Sequence, residues 1–460
     1  MKNLFLNILF ILCSITAFTS CSSDDDSVVV SPPYEQYGVP LANMTQPKDA
    51  IIYQVNLRAF SDAGTINGVR ERLSHIQSLG VNVIYLMPIY PVGVLNSVGE
   101  LGSPYSVKDY KAVSTEYGTL EDLRALVEEA HALDMAVMLD WVANHTSWDN
   151  AWINNHPEWY QKDDTGNIIA PPGTGWNDVA QLDFDNSELR TAMIDAMSYW
   201  VYNANIDGFR CDFADGVQQS FWSEAILAVR AIKNQDMLMF AEGTRRNHFD
   251  VGFDYTFGFR FFDALKKVFS EGEPASSIQN ANAEEYSNNY DDDNRIVRYT
   301  TNHDVNITDG TPIELFGGKP GSLATFVVAA YMKSVPMIYN GQEIGYTQRL
   351  PFFNKTPIDW STADNDIFTQ YQQIIDFRKN SEAIKTGSYN GYSSNAILAF
   401  TMKTDNETVL VLSNLTNSNV KYIVPASLSA DSWTNAFTEQ SVTLNAELTL
   451  SPYQYLVLKK

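Results

Sequence analysis

Three carboxylates far apart in the chain stand beside the residue types that acid–base chemistry needs. Asp212 ends the run Gly208-Phe209-Arg210-Cys211-Asp212, Glu242 falls in Phe240-Ala241-Glu242-Gly243, and Asp304 ends Thr301-Asn302-His303-Asp304. A fourth polar cluster, Asp140-Trp141-Val142-Ala143-Asn144-His145, precedes them. Cleavage of a glycosidic bond passes through an oxocarbenium-like state, so one carboxylate should attack the anomeric carbon while one acid protonates the leaving oxygen. Arg210 lies two residues before Asp212, and strand side chains repeat every second residue, so the two share a face. A guanidinium there is expected to hold Asp212 ionised and depress its pKa. Glu242 is expected in a less polar setting that keeps it protonated. His303 and Asp304 could bind ring hydroxyls and stabilise developing positive charge. In isolation an Arg–Asp pair is more often a structural ion pair, and it is the accompanying clusters that move the reading to catalysis.

Such residues need elements that bring them together. Candidate strands are 51–55, 83–87, 136–140, 208–212, 238–241, 252–255, 296–301 and 337–339. Continuous apolar strands separated by helical patterns indicate a parallel sheet covered on its outer face. The spacing predicts a helix over 119–133: Thr119 with Asp122 makes a capping-box-like start, and Leu120, Leu123, Val127, Ala130 and Leu133 form a stripe. Eight strands alternating with helices make an α/β fold, the (β/α)8 TIM barrel, the economical solution, with its chemistry at the carboxyl ends of the strands. The four clusters end strands three, four, five and seven. Residues 146–186, rich in Trp, Pro, Gly and Asn, interrupt the rhythm after strand three, as a functional loop or a small inserted domain. From 387 to 460 the pattern turns to short alternating runs such as 396–400 and 408–412, as in an antiparallel β-sandwich.

In order, the four clusters resemble the four short regions that mark the α-amylase family, glycoside hydrolase family 13. The similarity extends to Leu101-Gly102-Ser103-Pro104-Tyr105 before Lys108-Asp109-Tyr110, and to the run from Val335 through Pro336, Tyr339 and Gln342 to Glu343. It covers roughly residue 50 onward and implies a barrel at 50–386, an inserted B domain at about 146–186 and a β-rich C domain at 387–460. The resemblance implies Asp212 as nucleophile, Glu242 as general acid/base and Asp304 as transition-state stabiliser. It also implies that Asp140, His145, Arg210 and His303 line the sugar-cleaving subsite, with Tyr105 stacking on the ring. The mechanism would be double displacement with retention, the Asp212 and Glu242 carboxyls about 5–5.5 Å apart. A structural calcium between barrel and B domain is implied at Asn144, Asp183 and the carbonyl of Gly216, all oxygen donors as calcium requires. Two residues depart from the family pattern. Gly216 stands where members with α-amylase activity often carry His, and Phe213 where a smaller residue is common. Both lie toward the leaving-group side and bear on product pattern and on transfer versus hydrolysis. The 146–186 excursion lacks the Gln-Pro-Asp-Leu-Asn type signature of α-1,6-cleaving relatives, which tilts the expected activity to α-1,4 bonds of starch or maltodextrins. Rival readings are a transglycosylase, an exo-acting α-glucosidase, or a non-catalytic glycan-binding protein, the last opposed by the intact Asp212, Glu242 and Asp304.

The 460 residues carry a formal net charge of -24, which argues against nucleic acid and fits a neutral substrate. Met1-Lys2-Asn3 leads into an apolar run at 4–18 too short to span a membrane and stay. Phe18-Thr19-Ser20-Cys21 resembles a bacterial lipobox with Cys21 as the lipid anchor, although Phe18 stands where Leu is usual and leaves a plain signal peptide open. Ser23-Asp24-Asp25-Asp26 resembles the acidic tag of outer-membrane surface lipoproteins, or reads as part of a solvated tether over 22–49. A secreted lipoprotein held at the outer membrane is therefore expected, with an α-glucan as substrate and a glycan-uptake complex as a partner by analogy. Cys13 and Cys21 fall in that leader, which leaves Cys211 alone in the body and excludes an internal disulfide or a Cys-based metal site there. Of Trp141, Trp148, Trp152, Trp159 and Trp176, one or two are expected as sugar contacts. His131 reads as a surface residue, and the acidic run at 290–294 as a solvated turn more than a calcium loop.

Overall fold

A computed structural model describes residues 34–233, 235, 237–287, 294–429 and 432–460. Cys21, the acidic tag, the leader and residues 290–293 lie outside them. Gln36–Lys460 form one compact unit.

The eight apolar runs become the strands β1 (Ile52–Val55), β2 (Val83–Leu86), β3 (Ala136–Val142), β4 (Gly208–Asp212), β5 (Leu238–Ala241), β6 (Tyr255–Phe257), β7 (Arg295–Arg298) and β8 (Ser334–Tyr339). They close into a barrel in chain order, and β8 returns to pair with β1 in parallel. Every residue of these strands is buried, because side chains of one parity fill the barrel while those of the other meet the helices outside. Only β4 and β5 keep the expected limits; β3 runs on to Val142, β8 begins at Ser334, β1 and β2 each lose a residue, and the shifts of β6 and β7 have local causes. β6 begins at Tyr255 because Gly252, at φ 106°, closes the preceding turn Arg246–Val251, so residues 252–254 belong to the approach. β7 stops at Arg298 because Asn302 leaves the sheet to cap the helix His303–Thr308.

The expected helix spans Leu120–Ala132, with Thr119 and Asp122 forming the reciprocal capping box. It buries Leu123, Leu126, Val127 and Ala130, while Leu120 and Leu133 pack at the margin of the core. Between β3 and the helix Ser187–Ala204 the inserted segment carries a short antiparallel ribbon, His145–Ser147 against Val179–Gln181. The C-terminal region is a six-stranded antiparallel sheet, with Thr408–Asn414 and Tyr455–Lys459 at its centre, and a separate ribbon of Val420–Ile423 with Glu447–Leu450. Alternation sends Ile397, Ala399, Leu410 and Leu412 toward Tyr422 and Leu450 of the ribbon, and Leu398, Phe400, Val409 and Val411 into the main core. The sandwich is therefore unequal, its second layer only two strands wide. No helix of the described residues is long and apolar enough to cross a membrane.

Candidate active site

On β4, Arg210 and Asp212 face the barrel interior while Cys211 between them turns to the buried outer layer, as period-two alternation requires. Asp140 on β3 is the register partner of Arg210. The fully buried guanidinium donates through Nη1 to Asp140 Oδ1 at 2.7 Å and to Asp212 Oδ1 at 3.0 Å. Its Nη2 forms an ion pair with Glu242 Oε1 at 2.7 Å. One cation thus serves three carboxylates from three adjacent strands. Asp140 is saturated, since its Oδ2 also accepts from the Tyr85 hydroxyl at 2.6 Å and the Tyr105 hydroxyl at 3.0 Å.

Glu242 Oε2 accepts the backbone N–H of Phe213 at 2.7 Å. Phe213 sits at φ 40°, ψ 48°, a left-handed conformation that costs a non-glycine residue about 1–3 kcal/mol and persists where surroundings impose it. Its ring meets Trp176 edge to face at 5.1 Å, and a Cβ added to Gly216 would collide with that ring. Gly216 leaves the space that Phe213 fills. Both departures from the family pattern are therefore one packing arrangement.

Asp304 enters from the turn after β7. Asn302 caps its helix by accepting from the N–H groups of Asp304 and Val305, both at 2.9 Å, and so fixes where the helix begins. His303 stacks on Tyr105, ring centroids 5.4 Å apart. With Gln54 Nε2 donating to His303 Nδ1 at 2.7 Å, the imidazole proton lies on Nε2, 2.7 Å from the Tyr105 hydroxyl, which donates in turn to Asp140. Polar order thus runs from β1 to β3 through four side chains.

A cavity of about 500 Å³ opens over these groups, lined by Asp212, Glu242, Asp304, Tyr105, His145 and His303. Trp176, Phe213, Phe352 and Phe353 add aromatic faces to its wall. Asp140 and Arg210, expected at the subsite, have fully buried side chains and are not among the residues that border the cavity. They hold the residues that do line it. Of the five tryptophans singled out, Trp176 alone borders the cavity, 38% exposed, whereas Trp141 is wholly buried.

The electrostatics correct two further expectations. Burial pushes Asp212 well above the ordinary carboxylate range, the Glu242 charge pushes the same way, and the shared guanidinium offsets only part. Asp140 is raised by burial as well, against Arg210. The surroundings of Glu242 are polar rather than apolar, a guanidinium on one oxygen and an amide on the other. Burial lowers both His145 and His303 to about 4, so both are neutral at pH 7. His131, expected at the surface, pairs with Asp207 at 2.7 Å with 11% of its side chain exposed.

Of the oxygens named for calcium, both of Asn144 and one of Asp183 are already engaged by protein donors. Asn144 and Gly216 are close, with Asn144 Oδ1 2.6 Å from where a Gly216 Cβ would lie. The Asn144 carbonyl and Oδ1, however, accept hydrogen bonds from Gln181 Nε2. Asp183 turns its Oδ1 to the N–H of Asp185 at 3.2 Å. As they stand these residues do not fit the ion.

Several contributors escaped the sequence reading. Gln54 and Tyr85 each place a polar group inside an apolar strand run, a signal that was there to be used. Phe352 and Phe353 lie in a loop after β8 with no pattern that aims them at the cavity.

The family model described as alpha amylase, catalytic domain, matches residues 23–167 and 174–360, and that described as alpha-amylase SusG C-terminal domain matches 397–457. The chain is 26% identical over 427 residues to Alpha-amylase 2 of Dictyoglomus thermophilum, covering 83% of this chain and 72% of that one. An alpha-amylase structure from Lactobacillus plantarum superposes with a TM-score of 0.82 at 28% identity, covering 91% of this chain and 100% of that one. A maltogenic alpha-amylase, AmyB, from Thermotoga neapolitana superposes at 0.79 with 25% identity, covering 90% and 98%.

Proposed function

The chain belongs to the α-amylase family, glycoside hydrolase family 13, and from that premise we propose that it cleaves α-1,4-glucosidic bonds of starch or maltodextrins with retention of configuration. It is an α-amylase-type glycoside hydrolase acting on α-glucans. Retention rests on one observation: Asp212 and Glu242 pair with the same buried guanidinium, one at Nη1 and the other at Nη2. Two carboxyls held by neighbouring nitrogens suit the roughly 5–5.5 Å separation of a retaining pair better than the roughly 6.5–9.5 Å that admits a water between them.

Protonation of Glu242 removes a charge that helps to raise Asp212. From that state, in the first step, Asp212, ionised beside Arg210, attacks the anomeric carbon as Glu242 gives its proton to the glycosidic oxygen. The leaving sugar departs neutral and the other half remains as an ester of Asp212. In the second step the Glu242 carboxylate takes a proton from water, whose oxygen attacks the same carbon. Asp212 leaves as a carboxylate and Glu242 is protonated again. Asp304 borders the cavity with 48% of its side chain exposed, free to face the oxocarbenium-like carbon. Tyr105 is backed by His303 on one face, which suits it to receive a pyranose on the other. The apolar pair Phe213 and Trp176 supports a second reading, in which a sugar held there takes the glycosyl unit in place of water. The run ending in Cys21 supports export and lipid attachment at the outer membrane, near a glycan-uptake complex; lipid labelling of the native chain but not of Cys21→Ala tests this.

The test of function is a time course on maltoheptaose and amylose, following product length and anomeric form by NMR, with Glu242→Gln alongside. Short α-anomeric products from the native enzyme and none from the variant are expected. Products longer than seven sugars would select the transfer reading, and binding without cleavage would overturn both.

A further inference from the structure

Gln181 is the register partner of His145 in the inserted ribbon, and its side chain turns inward rather than to solvent, leaving the residue 8% exposed. Its Nε2 faces three oxygens: the Asn144 carbonyl at 3.0 Å, Asn144 Oδ1 at 3.2 Å and the Leu182 carbonyl at 3.0 Å. Asn144 Nδ2 returns a bond to Gln181 Oε1 at 3.2 Å. Convergent oxygens around one centre are the arrangement a hard cation collects, but here the centre is a neutral nitrogen with two hydrogens. The separations are N–H···O lengths, longer than the ~2.3–2.6 Å of calcium–oxygen bonds.

We propose that the Gln181 amide takes the place of a calcium ion at the junction of barrel and inserted segment, so that this junction holds without metal. The charge argument agrees with the geometry. All three oxygens are uncharged amide or carbonyl atoms, and a divalent cation among them would lack a carboxylate to offset it. Asp183, the nearest candidate in sequence, has its Oδ1 turned to the Asp185 N–H. The corner by Gly216 is filled by the Phe213 ring, which leaves little room for an ion and the waters that complete its shell. What the amide secures is position. Asn144 precedes His145, which lines the cavity, so Gln181 ties the end of β3 to the ribbon and sets where His145 stands. It is a positioning residue that never touches substrate.

The test uses the full chain and calcium itself. Native protein is dialysed against EDTA or against calcium, and bound metal, Tm and maltoheptaose cleavage are compared with those of Gln181→Asp. Asp in place of Gln removes both donor hydrogens and sets a carboxylate among three acceptors. We expect the native protein to keep one Tm and one rate in both buffers, with no calcium retained whose loss follows Asn144→Ala. The Gln181→Asp protein should lose several degrees of Tm in EDTA and recover them on adding calcium. A native protein that releases one calcium to EDTA with a fall in Tm, the ion being lost also in Asn144→Ala, would overturn the proposal. So would a Gln181→Asp protein that keeps the native Tm in EDTA.

Discussion

At Gly216 a side chain would enter the space held by the Phe213 ring, so the small residue and the large one are conditions of each other. Gly216→His in the native background should cost about 1–3 kcal/mol by overpacking. In Phe213→Ala the same change should cost at least about 1 kcal/mol less, a coupling that urea unfolding of the four proteins measures. Additivity within about 0.5 kcal/mol would mean the two positions are independent. Residue-level chemistry was readable where it depends on covalent spacing. Arg210 and Asp212 share a face because strand side chains alternate, and Cys211 faces away for the same reason. The direction of the Asp212 shift was not readable. It depends on burial and on Glu242, which lies thirty residues on and reaches the same guanidinium only through the β4–β5 pairing.

Elements position the chemistry through their ends. The helix His303–Thr308 starts where Asn302 accepts two backbone N–H bonds, and Asp304 lies in that first turn. Asn302→Ala should therefore cost about 1 kcal/mol of stability. It should also lower kcat at saturating maltoheptaose by more than Asn→Ala does at Asn186, which caps Ser187–Ala204 away from the cavity in the same manner. Paired unfolding and kinetics distinguish the two, and equal losses of kcat would deny the cap a positioning role. All eight barrel strands were legible as apolar runs because both faces of a parallel strand are buried. Their limits were less so. A left-handed Gly252 and a capping Asn302 end strands for reasons that hydrophobicity does not record. The ribbon of the inserted segment has three residues per strand, too few for alternation to declare itself.

Across the whole molecule, buried titratable groups set how stability answers to pH. His145 and His303 refuse protons down to about 4, while an unfolded histidine accepts one near 6.5. Between those values the unfolded chain binds more protons, so these residues make stability rise with pH; the raised Asp212 and Asp140 act in the opposite sense above the ordinary carboxylate range. His145→Gln should therefore flatten the rise of unfolding free energy between about pH 4.5 and 6 by up to about 1.4 kcal/mol per pH unit, measured by urea titration at fixed ionic strength. An unchanged slope would mean that His145 titrates normally. The barrel and the two-layered C-terminal region were both legible in outline, the latter as alternating runs, but the narrow second layer was not. Pairing partners of short antiparallel strands are decided by the assembled sheet. Closure of the barrel has a temporal consequence. Gln54, which orients His303, sits on the first strand, and that strand meets β8 only after about 285 intervening residues have emerged. A nascent or nicked chain can carry every carboxylate and still lack an ordered site. The ordered site is accordingly a report on completed topology, assembled only when the last barrel strand has found the first.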